Sequence, residues 1–447
     1  MTAATPKFVT GSTMRHVLTM TATGSIGLVA VFMVDALNLF YISRLGQKEL
    51  AAAVGYAGTI LFFYTSIGIG LSIAATALTS RALGRGDRAC AREIAGASLL
   101  VSAVTLGLLS ALILPFLPWV LQVLGASGDT ARYSLRFMHI VLPSLPLLGM
   151  GMTLSGLLRA LGDGKRAMYV TLGAGIATAI LDPLFIFGLE MGLDGAAIAN
   201  VLARFVLIGI GGHGLIRVHH LFAWPHKEIF VREYKAFLEI GIPATLTQIA
   251  TPVGNTFVTV AIAKYGDDAV AGWAVIGRLI PLAFGTIFAL SGAVGPILGQ
   301  NFGAKRYDRL YSTMRDSLTV TVSYVVVMWI LMALLSHKIA DLFGAQALGH
   351  DLIVFFCLFV SGSFIFNGCL FVANAAFNNL GYAFYSTMLN WGRSTLGVIP
   401  FVWLGSHWYG AMGVMAGYGL GVVLFGVVSV VLCFRVLGQL ERKGAAG

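Results

Sequence analysis

Residues 17–43 read VLTMTATGSIGLVAVFMVDALNLFYIS, with Asp35 the single acidic or basic side chain in the run. A helix needs about 20 apolar residues to cross a bilayer, so this stretch is long enough to span. It is too long for the core of a signal peptide and no A-x-A-like exit follows it. It therefore reads as a retained first span behind the polar start MTAATPKFVTGSTMRH.

The pattern continues along the chain. Apolar runs at 53–80, 94–122, 132–158, 168–189, 194–216, 236–264, 272–299, 317–340, 350–377, 383–405 and 410–435 bring the count to twelve spans. Of the 447 residues 57% are hydrophobic and 11% charged, whereas a soluble domain carries about 25% charged residues. A water-soluble fold is excluded. The expected fold is an all-α membrane protein of twelve transmembrane helices, with Gly and Pro tolerated inside the spans. Cys90, Cys357, Cys369 and Cys433 are scattered, so neither a disulfide framework nor a metal site is indicated.

Net charge is +10, but the basic residues sit in short connections. Loops after spans 2, 4, 6 and 8 hold fifteen Lys and Arg; those after odd-numbered spans up to 11 hold six, among them Arg44 and Lys48. The even loops and both termini are expected inside. The run 217–235, RVHHLFAWPHKEIFVREYK, is a basic connection near the middle of the chain and reads as a solvated linker at the membrane surface.

The halves repeat at an offset of about 220 residues. Asp35 falls on Asn255, Ser80-Arg81-Ala82-Leu83-Gly84 on Gly299-Gln300-Asn301-Phe302-Gly303, Pro183 near Pro400, and Gly195-Ala196-Ala197 near Gly410-Ala411-Met412. Six spans per half give both halves the same sense in the bilayer. The expected organisation is a six-helix lobe at 1–216, the linker 217–235, and a six-helix lobe at 236–447, pseudo-symmetric around a central cleft.

Of nineteen acidic residues only Asp35 and Asp182 sit well inside spans. A carboxylate at mid-bilayer costs about 2.5–3.5 kcal/mol on insertion scales and marks a functional site by default. Counted along their spans, Asp35, Asp182 and Asn200 all lie about 9–12 Å below the outer ends, and Thr178 is one turn from Asp182. These four are the candidate cation site. Two close carboxylates away from water cannot both stay ionised cheaply, and a proton or a small hard cation relieves the strain. The plainer reading is that each Asp is a hydrogen-bonded helix contact. The second half lacks a mid-span acid. It offers Asn255, Arg278 and Asn374 as candidate substrate contacts, with Arg393, Asn367 and Asn378 nearby in the sequence pattern. Arg278 and Arg393 suit an anionic group, although arginines in membranes more often snorkel or pack on carbonyls. Arg204 reads either as a counter-ion near Asn200 or as pointing to the inner face, and His139 as a packed histidine.

The chain resembles the multidrug and toxic compound extrusion (MATE) transporters over nearly its whole length. The resemblance rests on Val34-Asp35, Ser43-Arg44-Leu45-Gly46, Ala51-Ala52-Ala53-Val54-Gly55, Leu157-Leu158-Arg159-Ala160-Leu161-Gly162-Asp163, Asp182-Pro183, Gly195-Ala196-Ala197-Ile198-Ala199 and Gly299-Gln300-Asn301-Phe302-Gly303-Ala304. It implies export of cationic, amphipathic small molecules from the cell by proton or sodium antiport, with Asp35 and Asp182 matching the aspartate pair of the prokaryotic branch. Thr178 stands where that branch often has Asn, which leaves proton or sodium open. A different branch carries a Glu in span 7; the stretch Thr247-Gln248-Ile249-Ala250-Thr251 holds no acid.

Two other readings compete. A lipid-linked sugar flippase of the same superfamily would need a cationic cavity, which the two acids disfavour. An intramembrane aspartyl protease would use Asp35 and Asp182 as a dyad, but Leu181-Asp182-Pro183 lacks the glycine flank of such enzymes. The expectation is therefore a non-enzymatic transporter of the cell membrane. Its partners are a small-molecule substrate and the bilayer. Neither cofactor, nucleic acid nor obligate protein partner is expected, and the one metal considered is sodium at Asp35 and Asp182.

Overall fold

The computed structural model describes residues 6–43 and 48–445. The Arg44-Leu45-Gly46 part of the first motif lies outside the described residues. Within them the chain is helical, and the apolar helices are α1 (Thr13–Ile42), α2 (Glu49–Gly84), α3 (Arg88–Val123), α4 (Gly128–Ala160), α5 (Gly164–Gly188), α6 (Gly192–Val218), α7 (Phe230–Ala263), α8 (Asp267–Gly303), α9 (Tyr307–Leu342) and α10 (Val360–Leu380, preceded by the short apolar helix Ala347–Leu358). One further helical stretch runs from Ala383 to Gly444, 62 residues. At about 1.5 Å per residue it would be three times the thickness of a bilayer core. Its backbone leaves helical geometry at Tyr409 and Gly410, where Gly410 has φ +60°, and so it divides into α11 (383–408) and α12 (411–444). Among the described residues twelve apolar helices thus stand where twelve were expected.

The described residues form two compact units. Ile26–Thr245 make the first; the residues up to Ser25, with Leu246 onward, make the second. The units divide at two points, one inside α1 after Ser25 and one inside α7 after Thr245. Small-residue contacts show why. Gly24 lies against Ala289, where an added Cβ would be 3.3 Å from the alanine methyl, whereas Gly27 lies against Thr171. Gly70 lies against Gly241 and Thr245, where a Cβ would be 2.8 Å from the Gly241 carbonyl. The two cuts are separated by the repeat offset of about 220 residues. Each unit therefore takes the opening stretch of the other half's first helix.

In the first unit α2, α3 and α4 approach closely through small polar residues. Ser72 donates to the Met152 carbonyl at 2.8 Å, and Ser102 and Thr153 share a hydrogen bond of 2.7 Å. Such hydroxyls satisfy themselves across helices while letting backbones meet. The motif residue Asp163 caps α5: its carboxylate accepts from the Arg166 amide at 3.0 Å and from the Arg166 and His219 side chains. Burial pushes this carboxyl up, but the hydrogen bonds from His219 and Arg166 outweigh it and hold it well below the usual carboxylate range. A depressed carboxyl stabilises the fold above its unfolded pKa, near 3.9. Its contribution should be complete above about pH 4 and fade as pH falls below. Asp163→Asn is expected to lower the melting temperature at pH 7 and to flatten its decline in acid. An unchanged melting profile from pH 3 to 7 would count against the cap.

In the second unit the segment before α1 is docked. Phe8 is 1% exposed; its amide donates to Gln300 Oε1 at 2.9 Å, and its carbonyl accepts from Asn301 and Arg309. Arg309 also holds the Thr10 and Gly11 carbonyls. The Gly299-Gln300-Asn301 motif thus binds unpaired backbone at the start of the chain. The hairpin of α11 and α12 packs backbone to backbone. A Cβ at Gly413 would lie 1.9 Å from the Gly405 carbonyl oxygen, at Gly417 2.2 Å from that of Phe401, and at Gly421 1.7 Å from that of Gly397. Only glycine fits along this seam.

Candidate functional site

In the first unit, α1 and α5 lie side by side in one direction. Gly27 faces Thr171, Gly175 faces Ala30 and Val34, and Asn38 faces Asp182. This constant register brings polar residues of two apolar helices to one level. Asp182 is 1% exposed. Its Oδ2 accepts from the Asn38 side-chain amide at 3.2 Å, and its buried Oδ1 has no hydrogen-bond partner. Pro183 follows directly, and the helix widens into a π turn over Leu184–Gly188. Proline removes a backbone donor, and π turns recur at functional sites. Gly195 allows α6 to sit against this turn, since a Cβ there would be 2.6 Å from the Phe185 carbonyl.

Thr178 is buried one turn before Asp182, and its hydroxyl donates to the Ala174 carbonyl at 3.0 Å. Its oxygen lone pairs stay available as ligands. Asp35 lies one turn before Asn38, about 4.5 Å along the axis, at the level of Thr178. It is exposed, and Asn200 is half-buried. Among the described residues neither Asp35 nor Asn200 makes a side-chain hydrogen bond. The structure thus joins Asp182 to Asn38, a residue the sequence reading passed over. The available signal was the i, i+3 pair Asp35 and Asn38 on one helix face. Among the described residues no cationic side chain is bonded to Asp182, Asn38 or Thr178, so the polar atoms gathered here are mostly acceptors.

Arg204 does not serve these acids. It donates to the Val141 carbonyl at 3.0 Å and to Ser144 at 2.5 Å, where α4 narrows to a 3-10 turn beside Pro143 and Pro146. It satisfies backbone freed by that turn. His139 is exposed rather than packed, bonded to the Leu135 carbonyl of its own helix.

The second-unit candidates are not drawn together by hydrogen bonds. Asn255 on α7 and Arg278 on α8 are exposed; Asn374 on α10 is buried, with its Oδ1 unpartnered. Arg393 on α11 is 3% exposed, so it does not snorkel. It donates to Thr251 at 2.8 Å and to Asn367 at 3.5 Å.

Comparison with known proteins gives a consistent result. The MatE family model matches residues 25–184 and 243–404. The chain is 26% identical to the FAD transporter of Shewanella oneidensis, covering 96% of each. It is 23% identical to the multidrug export protein MepA of Staphylococcus aureus, covering 93% of this chain and 92% of that one. Among solved structures, the Vibrio cholerae MATE transporter VcmN in the bent form superposes with a TM-score of 0.92 at 23% identity, over 96% of this chain and 98% of that one. A MOP superfamily transporter from Pyrococcus furiosus superposes with a TM-score of 0.91 at 19% identity, over 98% of both.

Proposed function

The chain belongs to the MatE family of membrane transporters, and from that membership we propose that it is a cation-coupled antiporter. It exports cationic, amphipathic small molecules across the cytoplasmic membrane by alternating access, driven by protons or sodium. The loops after spans 2, 4, 6 and 8 and both termini lie inside, as their basic residues require. Relatives named as a FAD transporter and a multidrug export protein support small-molecule cargo.

One observation carries the reading: a carboxylate, Asp182, sealed inside the first unit with one oxygen on a neutral amide and the other unpaired. An anion held in this way is destabilised until a cation neutralises it. A ligand shifts a conformational balance only through unequal affinity for the two states. Cation loading at Asp182, with Asp35, Thr178 and Asn200 as further oxygen ligands, supplies that inequality for one direction, and cargo supplies it for the other.

The test is purified protein in proteoliposomes, with proton and sodium gradients imposed separately and an ethidium-like dye followed by fluorescence. One gradient should drive dye movement, and Asp35→Asn should reduce it by at least about tenfold. Dye moving at the same rate without either gradient would overturn the proposal, as would Asp35→Asn moving dye at the parental rate.

A further inference from the structure

The first and second units carry opposite charges at comparable places. In the repeat, Pro183 pairs near Pro400 and Gly195 near Gly410, which puts Arg393 within a turn of the position equivalent to Thr178. Asn255 stands for Asp35. Each unit also carries a π turn beside its buried charge: over Leu184–Gly188 just after Asp182, and from Arg393 to Gly397, the second lying six to eight residues earlier in the repeat than the first. Gly254 lets α7 press on this turn, where a Cβ would be 3.1 Å from Ser394.

Arg393 is a buried cation without an anion. Its hydrogen bonds go to the Thr251 hydroxyl and the Asn367 amide oxygen, both neutral. Among the described residues no carboxylate pairs with it, and its buried Nε has no partner. Thr251, which takes a hydrogen bond from the guanidinium, is half-buried, and Asn255, one turn further along α7, is exposed. Buried charges are retained where a counter-charge meets them. A guanidinium presents a planar fork of donors that matches a carboxylate or phosphate.

We propose that Arg393, with Thr251 and Asn367, forms an anion subsite that receives a carboxylate or phosphate group of the cargo. The preferred cargo then bears an acidic group besides its cationic, amphipathic body. This rests on the export function proposed above and narrows its substrate class.

The test is binding to the full-length protein in detergent, without any gradient. Two probes share one cationic xanthene ring: a dye with a free benzoate, and its methyl ester. Fluorescence anisotropy should show the acid binding at least about tenfold more tightly than the ester. Arg393→Gln should bring the acid down to the level of the ester while the ester keeps its affinity. Arg393→Lys, which keeps the charge but loses the fork, should keep part of the preference. Equal binding of acid and ester by the parent protein overturns the subsite whether or not the variants fold, and so does equal weakening of both dyes in Arg393→Gln. Loss of gradient-driven transport with the acid preference intact would overturn the coupling proposal alone; the converse would overturn the subsite alone.

Discussion

Asp182→Asn should fold, bind cargo and fail to export it against a gradient, with ion-driven transport falling at least about a hundredfold. The substitution keeps shape and removes charge. An amide oxygen at this position still accepts from Asn38, so the 3.2 Å contact between α1 and α5 has a successor. What disappears is the group that discriminates loaded from empty. Swinging a two-state balance from 1:99 to 99:1 takes about 10⁴-fold unequal affinity, and a neutral amide offers a cation little of it. Stability should move the other way. A lone buried carboxylate is more costly than a buried amide, so the variant should melt no lower than the parent at pH 8. Transport in proteoliposomes and a thermal melt on the same preparation check both halves. Export at the parental rate would remove Asp182 from the coupling scheme; a marked loss of stability would make it a structural contact.

The second large effect concerns the seam between α11 and α12. Gly421→Val is expected to destabilise the protein by about 3 kcal/mol or more, the upper end of the overpacking range. The added Cβ would fall 1.7 Å from the Gly397 carbonyl oxygen and 2.3 Å from its carbon. Backbone cannot rotate away as a side chain can, so the helices must separate along the whole hairpin, including at Gly417 and Gly413. Gly277→Ala is the matched control, since nothing lies within 4 Å of a Cβ there. Thermal melts of detergent-purified protein should show a lower transition for Gly421→Val and none for Gly277→Ala. Identical melts for Gly421→Val and parent would refute close backbone contact.

The helices were legible in the sequence because burial in lipid writes itself into composition: each span needs its own apolar run, and Tyr409-Gly410 ends one run and starts the next. The acids were legible for the converse reason, since Asp35 and Asp182 are the residues that break that rule. The partnership of Asp182 was not. It depends on which faces of α1 and α5 meet, and that is set by the glycines at 27 and 175, whose role appears only when a neighbour is present. The way contacts group the chain was not legible for a similar reason. The basic run at 217–235 marks a change in polarity, while the compact units are decided by contacts such as Gly24 with Ala289 and Gly70 with Gly241. Arg393 was legible as a candidate anion contact but its enclosure was not, since an arginine in a span usually reaches for an interface and this one is buried.

The crossing of α1 and α7 from one unit into the other bears on how such a chain can be cut. A fragment ending at 216 would lack the 230–245 stretch that fills the groove at Gly70, and would carry an orphaned opening stretch, including Phe8, made to fit elsewhere. A fragment starting at 236 would have the opposite defect. Severing the linker would leave each fragment without the opening stretch that its own unit uses.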